Sequence, residues 1–245
     1  MRKLFYVFVS LIFFVLLFLF LYFGLYIGKL YNKNIKFNAI PKREFFDNQN
    51  IENIVHNKII IIGDSRMAFL NERGKRISIP VNFNFIAYGG TKISWLKNDA
   101  FLTLKNKLDN IDNNYHYSVV INMGVNDLND NISVDLHAFR YYEFYKFLAS
   151  EYPNVSFYFL SVNPIDDSII NLFCGDQYRT TEKIKKFNDI MYSNILRDNI
   201  KNLKYCDSYN NINFGIPDGL HYDGKTDQKI VNYIVNKCVK YDKRG

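Results

Sequence analysis

Lys58-Ile59-Ile60-Ile61-Ile62-Gly63-Asp64-Ser65 decides the fold class of this chain. Four β-branched residues in a row, apolar without alternation, describe a short strand buried on both of its faces, as strands of parallel sheets are. The run stops abruptly at Gly63, which permits a tight turn, and Ser65 then stands at the amino end of the next helix. One reading is that Asp64 or Ser65 simply caps that helix. The other is that a serine at the end of a strand is placed for chemistry.

Working outward, further strand-like runs fall at residues 84–88, 118–123, 155–162 and 203–206, the last being weaker. Helical patterns lie between and after them at 93–108, 139–150, 181–198 and 225–239. Apolar strands separated by helices predict an α/β domain with a parallel sheet of five strands, covered on both faces. Ligands of such sheets collect at the carboxyl ends of the strands. Polar clusters occupy those ends: Gly63-Asp64-Ser65, Gly89-Gly90-Thr91, Gly124-Val125-Asn126-Asp127 and Ser161-Val162-Asn163-Pro164.

A late segment, Asp218-Gly219-Leu220-His221, adds a carboxylate and an imidazole three residues apart. On a loop or a single helical turn such residues can face each other. A serine hydroxyl needs a neighbouring imidazole to take its proton, and the imidazole needs a carboxylate to fix its tautomer and steady its charge. Asn126 could direct its amide at a developing oxyanion, while Asp127 hydrogen-bonds its own loop. A Gly without a Cβ at 89 or 90 could bring its backbone N–H close to a ligand. Each cluster also has an ordinary reading as a turn of Gly, Asn and Asp. The remaining histidines, His56, His116 and His137, have no comparable context and are expected to be structural or solvated.

In order and context the clusters resemble the SGNH (GDSL-type) serine hydrolase superfamily, over about residues 57–240. The resemblance implies a three-layer α/β/α, flavodoxin-like domain. It assigns Ser65 as nucleophile, His221 as base and Asp218 as its orienting acid. The oxyanion hole would comprise the backbone N–H groups of Ser65 and Gly90 (or its neighbour Gly89) and the Asn126 side chain. Ser161-Val162-Asn163-Pro164 and Phe187-Asn188 are similar to features of bacterial members. Arg66 departs from the pattern, standing where the eponymous leucine would be. It reads as a solvated arginine at a helix start, with contact to an anionic substrate as the alternative. No G-x-S-x-G elbow occurs, which argues against the α/β-hydrolase fold.

The implied reaction is acyl transfer without metal or organic cofactor. The leading expectation is a membrane-anchored esterase removing O-acyl groups, O-acetyl foremost, from an envelope carbohydrate or lipid-linked substrate. An O-acyltransferase sharing the acyl-enzyme is the alternative. A catalytically silent envelope-binding module is the alternative from another class, and the complete set of five residues counts against it.

From Leu4 to Gly28 the chain is uncharged and almost wholly apolar. About 25 residues at roughly 1.5 Å each reach about 37 Å as a helix, more than the roughly 30 Å of a bilayer core. The run is too long for a signal peptide's apolar region and lacks a small-residue cleavage site. Residues 1–28 are therefore expected to be a retained single-span anchor, 29–56 a polar tether, and 57–245 the catalytic domain, outside the cytoplasm. The net charge of +7 is spread along Lys-rich helices and accompanies no nucleic-acid-binding motif, so it describes a solvated surface. Cys174, Cys206 and Cys238 form no C-x-x-C pair, and neither a zinc site nor a disulfide is expected from their spacing.

Overall fold

In the computed structural model, residues 57–239 are described except for 76, 78, 81 and 175–177. The isoleucine run forms β1 (Asn57–Gly63), and the chain passes directly into α1 (Ser65–Glu72). Next come β2 (Phe83–Ala87) and α2, which spans 93–108 and widens to π geometry over Leu96–Ala100. They are followed by β3 (His116–Asn122), α3 (Val134–Glu151), β4 (Ser156–Leu160) and α4 (Asp167–Cys174). The chain continues through α5 (Thr181–Asp198), β5 (Leu203–Cys206), α6 (Ser208–Asn211) and α7 (Gly224–Tyr233). A π turn, Ile234–Cys238, extends α7.

The five strands pair in parallel in the order β2-β1-β3-β4-β5, with Ile62 beside Ile86 on one side and Ile121 on the other. Consecutive isoleucines point to opposite faces. Ile60 and Ile62 join the core formed with α2, α3 and α5, through Leu104, Tyr145 and Phe187 among others. Ile59 and Ile61 join a second core with Met67 and Leu70 of α1 and Ile230 and Val231 of α7. All four are at most 2% exposed, and full burial of such a side chain is worth about 1.5–3 kcal/mol. The expected three layers and five parallel strands are thus present, and the absence of alternation in β1 has its cause in two covered faces.

Boundaries moved where capping chemistry was decisive. Helix α3 starts at Val134 rather than near 139, because the Ser133 side chain accepts a hydrogen bond from the Leu136 N–H. Helix α5 occupies the predicted 181–198, closed by the Thr180 cap in front and by Asn199 in the left-handed conformation behind. The cysteines are a correction. Cys206, ending β5, and Cys238, in the turn after α7, are joined in a disulfide with a Cα–Cα distance of 5.5 Å. Spacing along the chain carried no trace of this pairing, since it follows from packing α7 against the sheet. Among the described residues no helix is long and apolar enough to cross a membrane, and no cluster of three or more potential metal ligands occurs. The proposed anchor and tether, residues 1–56, lie outside the described residues.

His137 of α3 is 1% exposed, and neither ring nitrogen has a hydrogen-bond partner. Burial lowers its pKa against the pull of Asp127 and Asp130. The fold therefore favours the neutral ring. Its contribution to stability is present above the unfolded value of about 6.5 and is lost as pH falls through the lower folded value. His137→Phe is expected to flatten the fall in urea midpoint between about pH 7.5 and about pH 5. An undiminished fall would assign the acid sensitivity to other groups.

Candidate active site

Strand β1 delivers its next residues to the sheet's carboxyl edge. Gly63 is dictated by space, because a Cβ there would lie 2.1 Å from Met67 Cγ. Asp64 is the cap: its Oδ1 accepts the Arg66 N–H at 3.0 Å. The two readings of this cluster prove compatible, since Asp64 caps the helix and leaves the Ser65 side chain free for His221. Burial pushes the Asp64 carboxyl up, opposed by the neighbouring Arg66.

Ser65 Oγ lies 2.9 Å from His221 Nε2, and His221 Nδ1 lies 2.7 Å from Asp218 Oδ2. An ionised carboxylate can only accept, so Nδ1 carries the proton and Nε2 is left to accept from the serine hydroxyl. Asp218 Oδ1 accepts the N–H groups of Leu220 (2.9 Å) and His221 (2.6 Å). Burial alone would raise the Asp218 pKa, but the ring and backbone hydrogen bonds outweigh it and hold the carboxyl at about 2. Gly219 makes the turn possible: its φ is +83°, and a Cβ would fall 2.7 Å from the Ile170 nitrogen.

Asn126 and Asp127 follow β3 and both reach the segment after β2. Asn126 Nδ2 donates to the Thr91 carbonyl at 3.0 Å, and its Oδ1 accepts from Arg179 at 3.4 Å. An amide nitrogen has two protons, so one remains for a substrate oxygen. The Asp127 carboxylate does not bond its own loop as expected. It accepts from the Ile93 N–H (3.1 Å) and the Tyr141 hydroxyl (2.7 Å), tying α2 and α3 to the edge of the site. Of the two glycines, Gly89 is the one nearer Ser65, a Cβ there falling 3.9 Å from that of Ser65. Gly90 takes the left-handed conformation, with φ +72°.

Phe187-Asn188, singled out in the sequence, has a structural role, whereas Phe69 has no part in the sequence reading and Arg66 departs from it. Asn188 pairs with both the N–H and the carbonyl of Val162 (2.9 and 2.8 Å), while Phe187 lies under Gly124, so Phe187-Asn188 locks two of the site's loops together. Phe69 sets its ring edge-on to the His221 imidazole, centroids 4.7 Å apart. Its place four residues after Ser65, one turn along the same helix face, was the available signal. Arg66 is neither solvated nor open to substrate; it is 1% exposed, with its guanidinium spent on backbone carbonyls. The expectation of a surface arginine failed because the loops that bury it come from distant parts of the chain.

No protein-family model matches the sequence, and no curated protein is detectably similar to it. Solved structures are similar in fold. A protein from Bacteroides fragilis assigned as an acylhydrolase superposes with a TM-score of 0.56 at 15% identity, over 84% of this chain and 93% of its own. Est24, a carbohydrate acetylesterase from Sinorhizobium meliloti, gives 0.53 at 14% identity, over 74% and 97%. A member of the lipolytic G-D-S-L family from Veillonella parvula gives 0.52 at 11%, over 76% and 100%. The chain has the SGNH hydrolase fold. Within that fold, the five residues singled out in the sequence stand at the carboxyl ends of β1, β2 and β3 and in the loop before α7, around one edge of the sheet.

Proposed function

We propose that this SGNH domain is a serine ester hydrolase that removes O-acyl groups, acetyl foremost, from carbohydrate. The reading is carried by one observation, the unbroken relay from Ser65 Oγ through His221 to Asp218 at 2.9 and 2.7 Å. Both distances fall within the range needed for proton transfer. Ser65 attacks the ester carbonyl while His221 takes its proton. The imidazolium, steadied by Asp218, then returns that proton to the leaving alcohol. Water, deprotonated by the same imidazole, releases the acid from the acyl-enzyme.

The N–H groups of Ser65 and of Gly90 or its neighbour Gly89, with the Asn126 amide, receive the oxyanion. Losing one such donor costs about 10²–10³ in kcat. Asn126→Ala is therefore expected to lower kcat by about that factor with a folded protein by circular dichroism. An unchanged turnover removes Asn126 from the mechanism.

Carbohydrate as the carrier of the ester is supported by the fold shared with a carbohydrate acetylesterase. We further propose that residues 1–28 anchor the domain to the membrane and that it works outside the cytoplasm. The uncharged segment from Leu4 to Gly28 supports the anchor. The Cys206–Cys238 disulfide supports an oxidising compartment. Acetate release from O-acetylated oligosaccharides, compared with transfer when a sugar acceptor is added, tests the reaction. Products found only on the acceptor would make the enzyme a transferase.

A further inference from the structure

The helix that carries the nucleophile also grips the base from both sides. Arg66 donates from Nε to the Leu220 carbonyl (3.0 Å), from Nη1 to that of Asn163 (2.8 Å) and from Nη2 to that of Pro164 (3.0 Å). The Tyr222 ring lies 5.0 Å from its guanidinium carbon. Arg73, the residue that ends α1, donates from Nη1 to the Tyr222 carbonyl at 2.7 Å and pairs through the same nitrogen with Asp227. Leu220 and Tyr222 are the two neighbours of His221. Between these anchor points Phe69 meets the imidazole itself, and the Arg73 guanidinium lies over the Phe69 ring at 5.4 Å.

We propose that Arg66 and Arg73 form a two-point clamp through which α1 sets the distance between Ser65 and His221, so that both arginines are positioning residues for the proton transfer. The need for such a device follows from connectivity. Ser65 and His221 are 156 positions apart, and their hydroxyl–imidazole contact depends on how two loops meet. A displacement of about 1 Å at such a contact can cost on the order of 10² in rate. Mounting the nucleophile and both carbonyl anchors on one rigid helix removes most of that freedom.

Arginine suits the task where leucine or lysine would not. Its planar fork offers five donors in fixed directions, three of which here reach three carbonyls on two loops, whereas an ammonium is a single point on a flexible stem. The Asn163 and Pro164 carbonyls follow β4, so Arg66 fixes the catalytic loop to the sheet as well as to α1. On the other side of the loop, the Asp166 N–H holds the Gly219 carbonyl at 2.9 Å.

The test uses the full chain in detergent and compares wild type, Arg66→Lys and Arg73→Gln. It measures the rate constant and final stoichiometry of fluorophosphonate labelling, kcat and KM on an aryl acetate, and Tm. The expected result for Arg66→Lys is a fall of about 10- to 100-fold in kcat and in the labelling rate constant, with KM within about twofold. Labelling should still run to wild-type stoichiometry. Arg73→Gln should shift the same quantities in the same direction, by about threefold to tenfold, since it releases one carbonyl rather than three.

A purely structural role would lower Tm and the labelled fraction but leave the rate constant of that fraction at the wild-type value, and this outcome overturns the clamp. Should Arg66→Lys not accumulate in folded form, Arg73→Gln, whose side chain is 27% exposed, decides the matter by the same measurements. The inference rests on Ser65 as nucleophile. Wild-type protein that does not label at Ser65 removes both ideas. Normal wild-type labelling with unchanged variant rate constants removes the clamp alone.

Discussion

Ser65→Ala is expected to abolish fluorophosphonate labelling and to reduce hydrolysis of small aryl acetates by on the order of 10⁶ in kcat, with the fold retained. The reason is geometric. Ser65 is the hydroxyl at 2.9 Å from the His221 nitrogen that is free to accept, and it is the first residue of α1. Removing its Oγ deletes no core contact, because the side chain is only half-buried and Asp64 supplies the cap. The loss should therefore be chemical rather than structural, visible as an unchanged Tm beside a vanished activity. Persistent labelling of the alanine variant at another residue would transfer the nucleophile's role elsewhere and dismantle the proposed reaction.

Asp218→Asn is expected to cost on the order of 10⁴ in kcat while leaving the loop in place. An asparagine at 218 can keep its oxygen on the two backbone N–H groups that Asp218 Oδ1 now holds. Its NH₂ then faces His221 Nδ1 as a donor. That forces the ring proton onto Nε2, the nitrogen that must accept from Ser65, so the base is present in the wrong tautomer. Because its hydrogen bonds keep the Asp218 carboxyl at about 2, the group stays ionised throughout the neutral and mildly acid range. Its depressed pKa contributes stability above the unfolded value of about 3.9, lost only as pH falls through about 2. Loss of activity on mild acidification must then arise from another group. A kcat within about tenfold of wild type would show that the imidazole needs no carboxylate here.

Much of this was legible in the amino-acid sequence because it depends on local pattern. Ile59–Ile62 specify a strand covered twice, whatever covers it. Asp218 and His221 are three positions apart, so their pairing needs only one turn, which Gly219 permits. Clusters after apolar runs fall at strand ends by construction, and this gathered Ser65, Gly90 and Asn126 at one edge. The errors share a different character. Local pattern describes a solvated Arg66, an Asp127 side chain bonded within its own loop, and unpaired Cys206 and Cys238. Each depends on partners at large separation, 154 positions for Arg66 and Leu220 and 32 for the two cysteines. No propensity or spacing encodes such contacts.

The five strands, the four longer helices and the chemical types available at the sheet edge are legible in the amino-acid sequence alone, because side-chain period and turn chemistry act over a few residues. Only the tertiary structure decided the distances that make those types a reactive set. It brought His221 within 2.9 Å of Ser65, and it turned an arginine at a helix start into a buried link from α1 to two loops. The physical reason is that proton transfer tolerates errors of a few tenths of an ångström. Position at that scale is fixed by the packing of α1 against loops more than ninety residues away in the chain.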